Sequence, residues 1–368
     1  MDVLRTSLRF ACAAALAALA VFLTWLNACA AALRQEPRRF ASLAPATDEH
    51  LELARRYAPW IYHEVDPEGG RQDLPAPVDF DGDLGGENNW EHFAAFELPP
   101  TVYYACLESG THFFFTYHLF HPRDWARFDL GLHMTHENDG ENLQVVVDKR
   151  SREPVLLFTQ AHYRGVVYAN AGSGFESGEE DLRRGFLRVD ELGVPDARGT
   201  HAGVLVQSQG HGILGALDRC TRVSVGERGE ATFELAGLVL RPARDGEEVR
   251  EPALDAREPV AYSLESTTAK LWPLLRSGEL VGEGRLLDRA YAYEDERVKI
   301  GVPRFYEANR FSGPFGPDRG ISPFAVDFGF EAGELGALFF DPARRYAERL
   351  RVPEGWSREY ERYPFANR

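Results

Sequence analysis

From residue 101 onward the chain reads as a succession of short strands. Thr101 to Leu107 and Thr111 to Phe120 are aromatic and β-branched runs, with the turn residues Glu108-Ser109-Gly110 between them. Leu143 to Asp148 and Pro154 to His162 form a second such pair around Lys149–Glu153. Gly203 to Gln207, Arg222 to Val225 with Ala231 to Leu235, Leu238 to Arg241, Pro259 to Leu264 and Gly336 to Phe340 continue the pattern. Helical patterns are few. One runs from a Thr47 or Asp48 cap through Tyr57 and ends before Pro59. Another covers Ser266 to Ser277, interrupted by Pro273, and a third covers Pro342 to Leu350 with proline in its first turn. Residues 64–100 are dense in Gly, Pro, Asp and Asn without periodicity, and read as a long ordered loop. Short strands separated by turns, without regular intervening helices, predict a mainly β fold: a single antiparallel β-sandwich with long loops and a few short helices. No composition break divides residues 48–368, so they read as one domain.

The N-terminus follows different rules. Arg5 and Arg9 precede an apolar run from Phe10 to Leu26, and small residues follow it. These are the parts of a secretory signal over residues 1–30, with 31–47 as a linker. Ala28 and Ala30 make an A-x-A step. Leu26-Asn27-Ala28-Cys29 resembles a lipobox, which would put a lipid on Cys29. An uncleaved helix is the alternative, since Phe10 to Leu33 is long enough to span hydrocarbon. Each version places the rest of the chain outside the cytoplasm, periplasmic, envelope-bound or secreted, with the membrane reached only through this N-terminal anchor. In an oxidising compartment Cys106 and Cys220 would either pair or stay as two buried thiols. The 368 residues carry a net charge of −16, which leaves no basic surface for a nucleic-acid partner and suits a protein that holds cations.

The densest polar stretch is HENDGEN, residues 136–142, directly before the apolar LQVVV. Alternate residues of a strand share a face. Extending the strand back from Val147 puts Val145, Leu143, Glu141 and Asp139 on the same, inward side. Two inward carboxylates would repel each other at a cost of several kcal/mol, or take up protons, unless a cation joins them. His136 would come from the bend before the strand. Phe113 to Phe120 should stop at Pro122, which cannot donate to a ladder, and Asp124 would then sit beside His136. Asp124, His136, Asp139 and Glu141 form an oxygen-rich set that suits Mg²⁺, Ca²⁺ or Mn²⁺ better than zinc.

The H-x-x-D-x-E spacing of His136, Asp139 and Glu141, preceded by an aromatic strand ending in Pro122-Arg123-Asp124, resembles the necrosis- and ethylene-inducing-like cytolysins. Their heptapeptide G-H-R-H-D-W-E matches at those three residues and departs at Thr135, Glu137, Asn138 and Gly140. The resemblance implies that the three, with Asp124, are cation ligands. "ARRYAPWIY", "VLVQSQGHGI" and "GALFFDPA" are similar to the vacuolar-sorting-associated type of β-sandwich, in order from about residue 54 to 343. That family implies a sandwich and often no assigned activity.

His162 ends a strand in "TQAHY" and His211 lies between glycines in "SQGHGI". Either would serve as general base if a metal-bound water does chemistry, and His133 is a further candidate to join the site. Asp79, Asp81 and Asp83 have the alternate spacing of a calcium loop, but Gly82 and Trp90 stand at the wrong positions for an EF-hand. No nucleophile elbow, Walker loop, dinucleotide fingerprint or H-E-x-x-H is present. Three functions follow: recognition of a glycan or lipid head group through a cation, metal-dependent hydrolysis of a phosphoester or glycoside, and an envelope protein whose cation stabilises the fold.

Overall fold

The computed structural model describes residues 48–86, 88–125, 136–161, 164–216, 222–224, 230–232, 237–277, 279–280, 285–286, 291–293, 304–306, 310–311 and 337–364. The expected signal and linker, Cys29, His133, His162 and Cys220 lie outside the described residues, as does the side chain of His136.

The main sheet is built on eleven strands: β1 (Trp60–Glu64), β2 (Thr101–Ser109), β3 (His112–Asp124), β4 (His136–Asp148), β5 (Pro154–Ala161), β6 (Arg164–Ala169), β7 (Leu182–Arg184), β8 (His201–Val206), β9 (Ile213–Gly215), β10 (Gly237–Pro242) and β11 (Val260–Ser266). Their spatial order is β9-β8-β1-β10-β11-β2-β3-β4-β5-β6-β7. The β2–β6 meander is antiparallel, as the hairpin turns predict. The antiparallel sandwich does not hold as a whole, because β1 pairs with β8, β10 with β11, β11 with β2 and β6 with β7 in parallel. Parallel neighbours are joined by long connections rather than by tight turns. Period-2 patterning identifies such strands but says nothing of their partners.

The sheet curls into a half-barrel instead of splitting into two layers. Its β9 edge returns over β5 and β6, where the Gly215 N–H donates to the Tyr168 hydroxyl at 3.1 Å. Gly215 lies flat against the Tyr168 ring, so any larger residue there would collide with it. The concave face carries the main core: Ile61, Val102, Tyr104, Phe115, Tyr117, Leu143, Val145, Val147, Val204, Leu240 and Tyr262. Helix α1 (Asp48–Tyr57) closes over part of it, burying Ala54 and Tyr57. The Tyr117 hydroxyl donates to the Ala54 carbonyl at 2.7 Å.

On the convex face, Phe114, Val146, Leu156 and Phe158 pack under Leu338, Phe339, Ala343 and Tyr346. The last four belong to a helical turn, Ala337–Phe340, and to α2 (Pro342–Arg349). The strand expected over Gly336 to Phe340 is therefore a helix. A short apolar run fits either element, and here it is one turn laid on the sheet, with Phe339 edge-on to Phe158. Two further boundaries differ from expectation. β3 continues through Pro122 to Asp124, the ladder skipping the proline between His121–Asp139 and Arg123–Glu137. His136 does not enter from a bend but is the first residue of β4. Opposite Pro122, Asn138 takes a left-handed φ of 57°.

Candidate metal centre

The inward face of β3 reads Phe113, Phe115, Tyr117, Leu119 and then His121. The register sets His121 across from Asp139 and Leu119 across from Glu141. The aliphatic face of β4 thus does extend through Glu141 to Asp139, which are 4% and 3% exposed. Two further elements reach the same region. On β1, His63 follows Ile61 on the inward face and is 1% exposed. The turn after β8 delivers His211, fully buried.

That turn is unusual. Gln209 and His211 both have left-handed backbones, with φ of 70° and 48°. Such strain costs on the order of 1 kcal/mol or more per residue and persists where surrounding contacts enforce it. Here Trp125 N–H donates to the Gln209 carbonyl (3.1 Å) and Gln207 N–H to the Gly212 carbonyl (3.1 Å). The Gln209 N–H donates to Asp73 Oδ1 at 2.8 Å. Asp73 lies in a 3₁₀ turn, Gly70–Asp73, and is fully buried. It also accepts from Trp125 Nε1 (2.9 Å) and from the Asp66 N–H (2.8 Å).

His211 therefore stands between two carboxylates. Its Nδ1 is 2.9 Å from Asp139 Oδ2, and its Nε2 is 3.4 Å from Asp73 Oδ1, an ion-pair distance rather than a well-formed hydrogen bond. The His121 ring stacks on it, with centroids 3.8 Å apart and planes 9° from parallel. His63 closes the group, its Nε2 3.5 Å from His121 Nε2. The electrostatics divide these imidazoles. Burial works against a charged His211, but the hydrogen bonds and charges of Asp139 and Asp73 outweigh it and hold the group up at about 9. Burial takes His63 down to about 4, reinforced by the nearby His211 charge and partly offset by its hydrogen bond to the Glu64 carbonyl. Burial likewise drives His121 well below the ordinary range, helped by His211 and His63. For Asp73 burial pulls upward, and the His211 partnership with two backbone N–H donors more than reverses it.

Among the described residues, donor atoms of His121, Asp139 and His211 all lie within 4.8 Å of one another, a separation one metal ion can bridge. Two imidazoles and a carboxylate fit a divalent cation, and a buried ring nitrogen, His121 Nδ1, has no hydrogen-bond partner there. Of the residues expected to hold a cation, Asp139 is in this group. Glu141 is the next inward residue on the same strand. Asp124 pairs across the ladder with His136 at the far end of β3 and β4 and is not in the group. His211 belongs to it, while His162 is outside the described residues. Sequence reasoning passed over His63, His121 and Asp73. The two histidines were open to detection, because each continues the inward parity of its strand. Asp73 gave no signal, lying in an aperiodic loop.

The asparagines of HENDGEN, Asn138 and Asn142, are structural. Asn138 donates to the Gly86 carbonyl (2.7 Å) and accepts from Asn89 (2.5 Å). Asn142 accepts from or donates to its neighbours on both flanks: His118 Nδ1 at 2.6 Å and Gln160 Oε1 at 3.1 Å. In the acidic loop, Asp81, Asp83 and His92 also converge. There His92 is held by Asp81 at 2.6 Å, and Asp83 accepts from the Gly85 N–H and the Asn88 amide, so the loop is fixed by its own hydrogen bonds.

No family model matches the chain, and no curated protein matches it. Solved structures do align. A mutant of NLPPya covers 52% of this chain and 74% of its own, at 14% identity and a TM-score of 0.29. NLPPya in complex with glucosamine covers 53% and 75%, at 16% identity and 0.28. Necrosis and Ethylene inducing Protein 2, from the causal agent of cocoa's witches' broom disease, covers 55% and 78%, at 11% identity and 0.27. These are proteins of the cytolysin group whose heptapeptide the His136, Asp139 and Glu141 spacing resembles. The alignments are loose, and neither a ligand nor a site residue passes from those proteins to this chain. Among the described residues no helix is long and apolar enough to cross a membrane.

Proposed function

We propose that the concave end of the half-barrel holds a divalent cation on His121, Asp139 and His211, and that this cation is an integral part of the fold. One observation carries the reading: the three donors come from β3, β4 and the strained turn after β8, and all are 0–3% exposed. An ion there ties the meander to the β9 edge that curls over it. Glu141 is a further oxygen donor along the same face. Burial favours this role over the two others expected from the sequence. A bridge to a glycan or lipid head group needs a coordination position open to the ligand, and water activation needs one open to water and substrate. His211 as a general base would also have to part from both carboxylates. Recognition of a glycan or lipid belongs on this reading to another surface.

The test is elemental analysis of the purified chain together with thermal melts before and after chelation. An ion bound at 100 times its dissociation constant stabilises by about 2.7 kcal/mol, which for a domain of this size is roughly 4 °C. Loss of the ion with an unchanged melt would sink the structural role, and absence of any ion would sink the site.

A further inference from the structure

Resting on that cation reading, we infer that Asp73 is the positioning residue of the centre: it sets where the turn after β8 stands relative to β3 and β4, and so brings the donors together without being one of them. The converging donor atoms among the described residues are those of His121, Asp139 and His211, and Asp73 is not in that set. Its Oδ1 is 3.4 Å from His211 Nε2, too long for a well-formed hydrogen bond. What Asp73 holds instead is the chain around the histidine.

Its Oδ1 accepts from the Gln209 N–H at 2.8 Å and from Trp125 Nε1 at 2.9 Å, and its Oδ2 accepts from the Asp66 N–H at 2.8 Å. The three donors belong to three segments. Gln209 stands two residues before His211, Trp125 directly follows β3, which carries His121, and Asp66 lies just beyond β1. Asp66 closes the circuit. Its Oδ2 accepts from the Gln209 side-chain amide at 3.1 Å, and its Oδ1 accepts from the Glu68 and Gly69 N–H groups at 2.9 and 3.1 Å, directly before the 3₁₀ turn that bears Asp73. The turn after β8 needs this restraint. Gln209 and His211 are both left-handed, a conformation that residues with side chains leave unless their surroundings enforce it. Relaxation of either would carry the His211 ring away from Asp139, where its Nδ1 stands at 2.9 Å. A buried carboxylate suits the task, since hydrogen bonds to a charged acceptor are roughly twice as strong as neutral ones.

The experiment titrates the full, chelator-stripped chain by calorimetry with Mn²⁺, Zn²⁺ and Ca²⁺ in turn, and compares variants with the ion that binds tightest. Asp73→Asn keeps the size of the side chain but replaces one acceptor oxygen with an amino group, which opposes the N–H donors that oxygen served. It is expected to bind one ion per chain about 10–100-fold more weakly, as loss of a group that orients a metal ligand does. Amide exchange from Gln209 to Gly212 should also be faster in the loaded variant than in the loaded unmodified chain. Phe115→Ala is the control: it loses packing at a buried site six residues from His121 along β3 and should keep the unmodified affinity. If Asp73→Asn does not fold, Trp125→Phe, which removes the indole donor to Asp73, takes its place with the same expected direction. Unmodified affinity in that variant, or an equal loss in Phe115→Ala, overturns the positioning role and leaves the cation reading standing. An unmodified chain that binds none of the three ions removes both.

Discussion

Raising the pH of the metal-free protein puts the His211 arrangement under direct test. An unfolded histidine titrates near 6.5, whereas the folded His211, fully buried between Asp139 and Asp73, is held at about 9. A group whose folded value is raised contributes stability that is complete below 6.5 and is lost as pH climbs through 9. Each tenfold difference in proton affinity is worth about 1.4 kcal/mol, so the whole window amounts to about 3 kcal/mol. The assay is urea denaturation of chelated protein at steps from pH 6 to 10. Stability should fall across that range and level off above it. Asp139→Asn, which removes the nearer carboxylate, should shrink the fall. A metal on His211 displaces the proton, because ligating imidazole must be neutral, and the fall should then vanish from the loaded protein in the same buffers. A metal-free protein of constant stability from pH 6.5 to 9 would refute the picture of an imidazolium clamped by two carboxylates. On the acid side the sign reverses: His63, lowered to about 4, costs stability as pH drops from 6.5 toward 4, so the metal-free optimum should lie near 6.5.

Other perturbations probe the frame. Phe115→Ala empties a fully buried site on the concave face and should cost about 3–5 kcal/mol by chemical denaturation; a loss under 1 kcal/mol would mean that the concave cluster is not the main core. Gly237→Ala would drive a methyl group into the His63 carbonyl oxygen, so the melt should drop clearly and the centre's metal affinity should fall with it. Burial alone would raise the Glu108 carboxyl, but hydrogen bonds from His50 and Lys149 and the charges of Lys149 and Arg362 hold it down to about 2. Lys149→Met should therefore cost about 2 kcal/mol at neutral pH, a charged hydrogen bond's worth, and the penalty should shrink as pH falls from 4.5 toward 2. An equal penalty at both ends would exclude the Glu108 pair as its cause.

What could be seen in the sequence was local and periodic. The alternation of Leu143, Val145 and Val147 carried back to Asp139 and Glu141 because the pleat continues, and the structure buries both. The same parity would have led from Leu119 to His121 and from Ile61 to His63. Proline and polarity suggested instead that both β3 and β4 were shorter than they are. Parallel neighbours such as β10 and β11 stayed hidden, since their pairing is set by long connections and by the curl of the sheet. Asp73 and the left-handed Gln209 and His211 were invisible for a different reason. Their positions are fixed by contacts between the aperiodic loop, the Trp125 indole and the turn after β8, and none of these leaves a period in the chain.

The place of β1 sets a timetable for assembly. Trp60 lies beside Gly203 and Ile61 beside Leu240, so an early strand lies inside the sheet between strands that come much later. Until β8 and β10 exist, the run WIYHE has two open edges and no partner, while the β2–β6 meander can zip from hairpin to hairpin. Non-local pairings of this kind slow folding and prolong the exposure of apolar edges. The meander should thus gain hydrogen-exchange protection first and β1 last. The same delay postpones the arrival of His63 beside His121, so the buried histidine cluster should be among the last parts of the core to close.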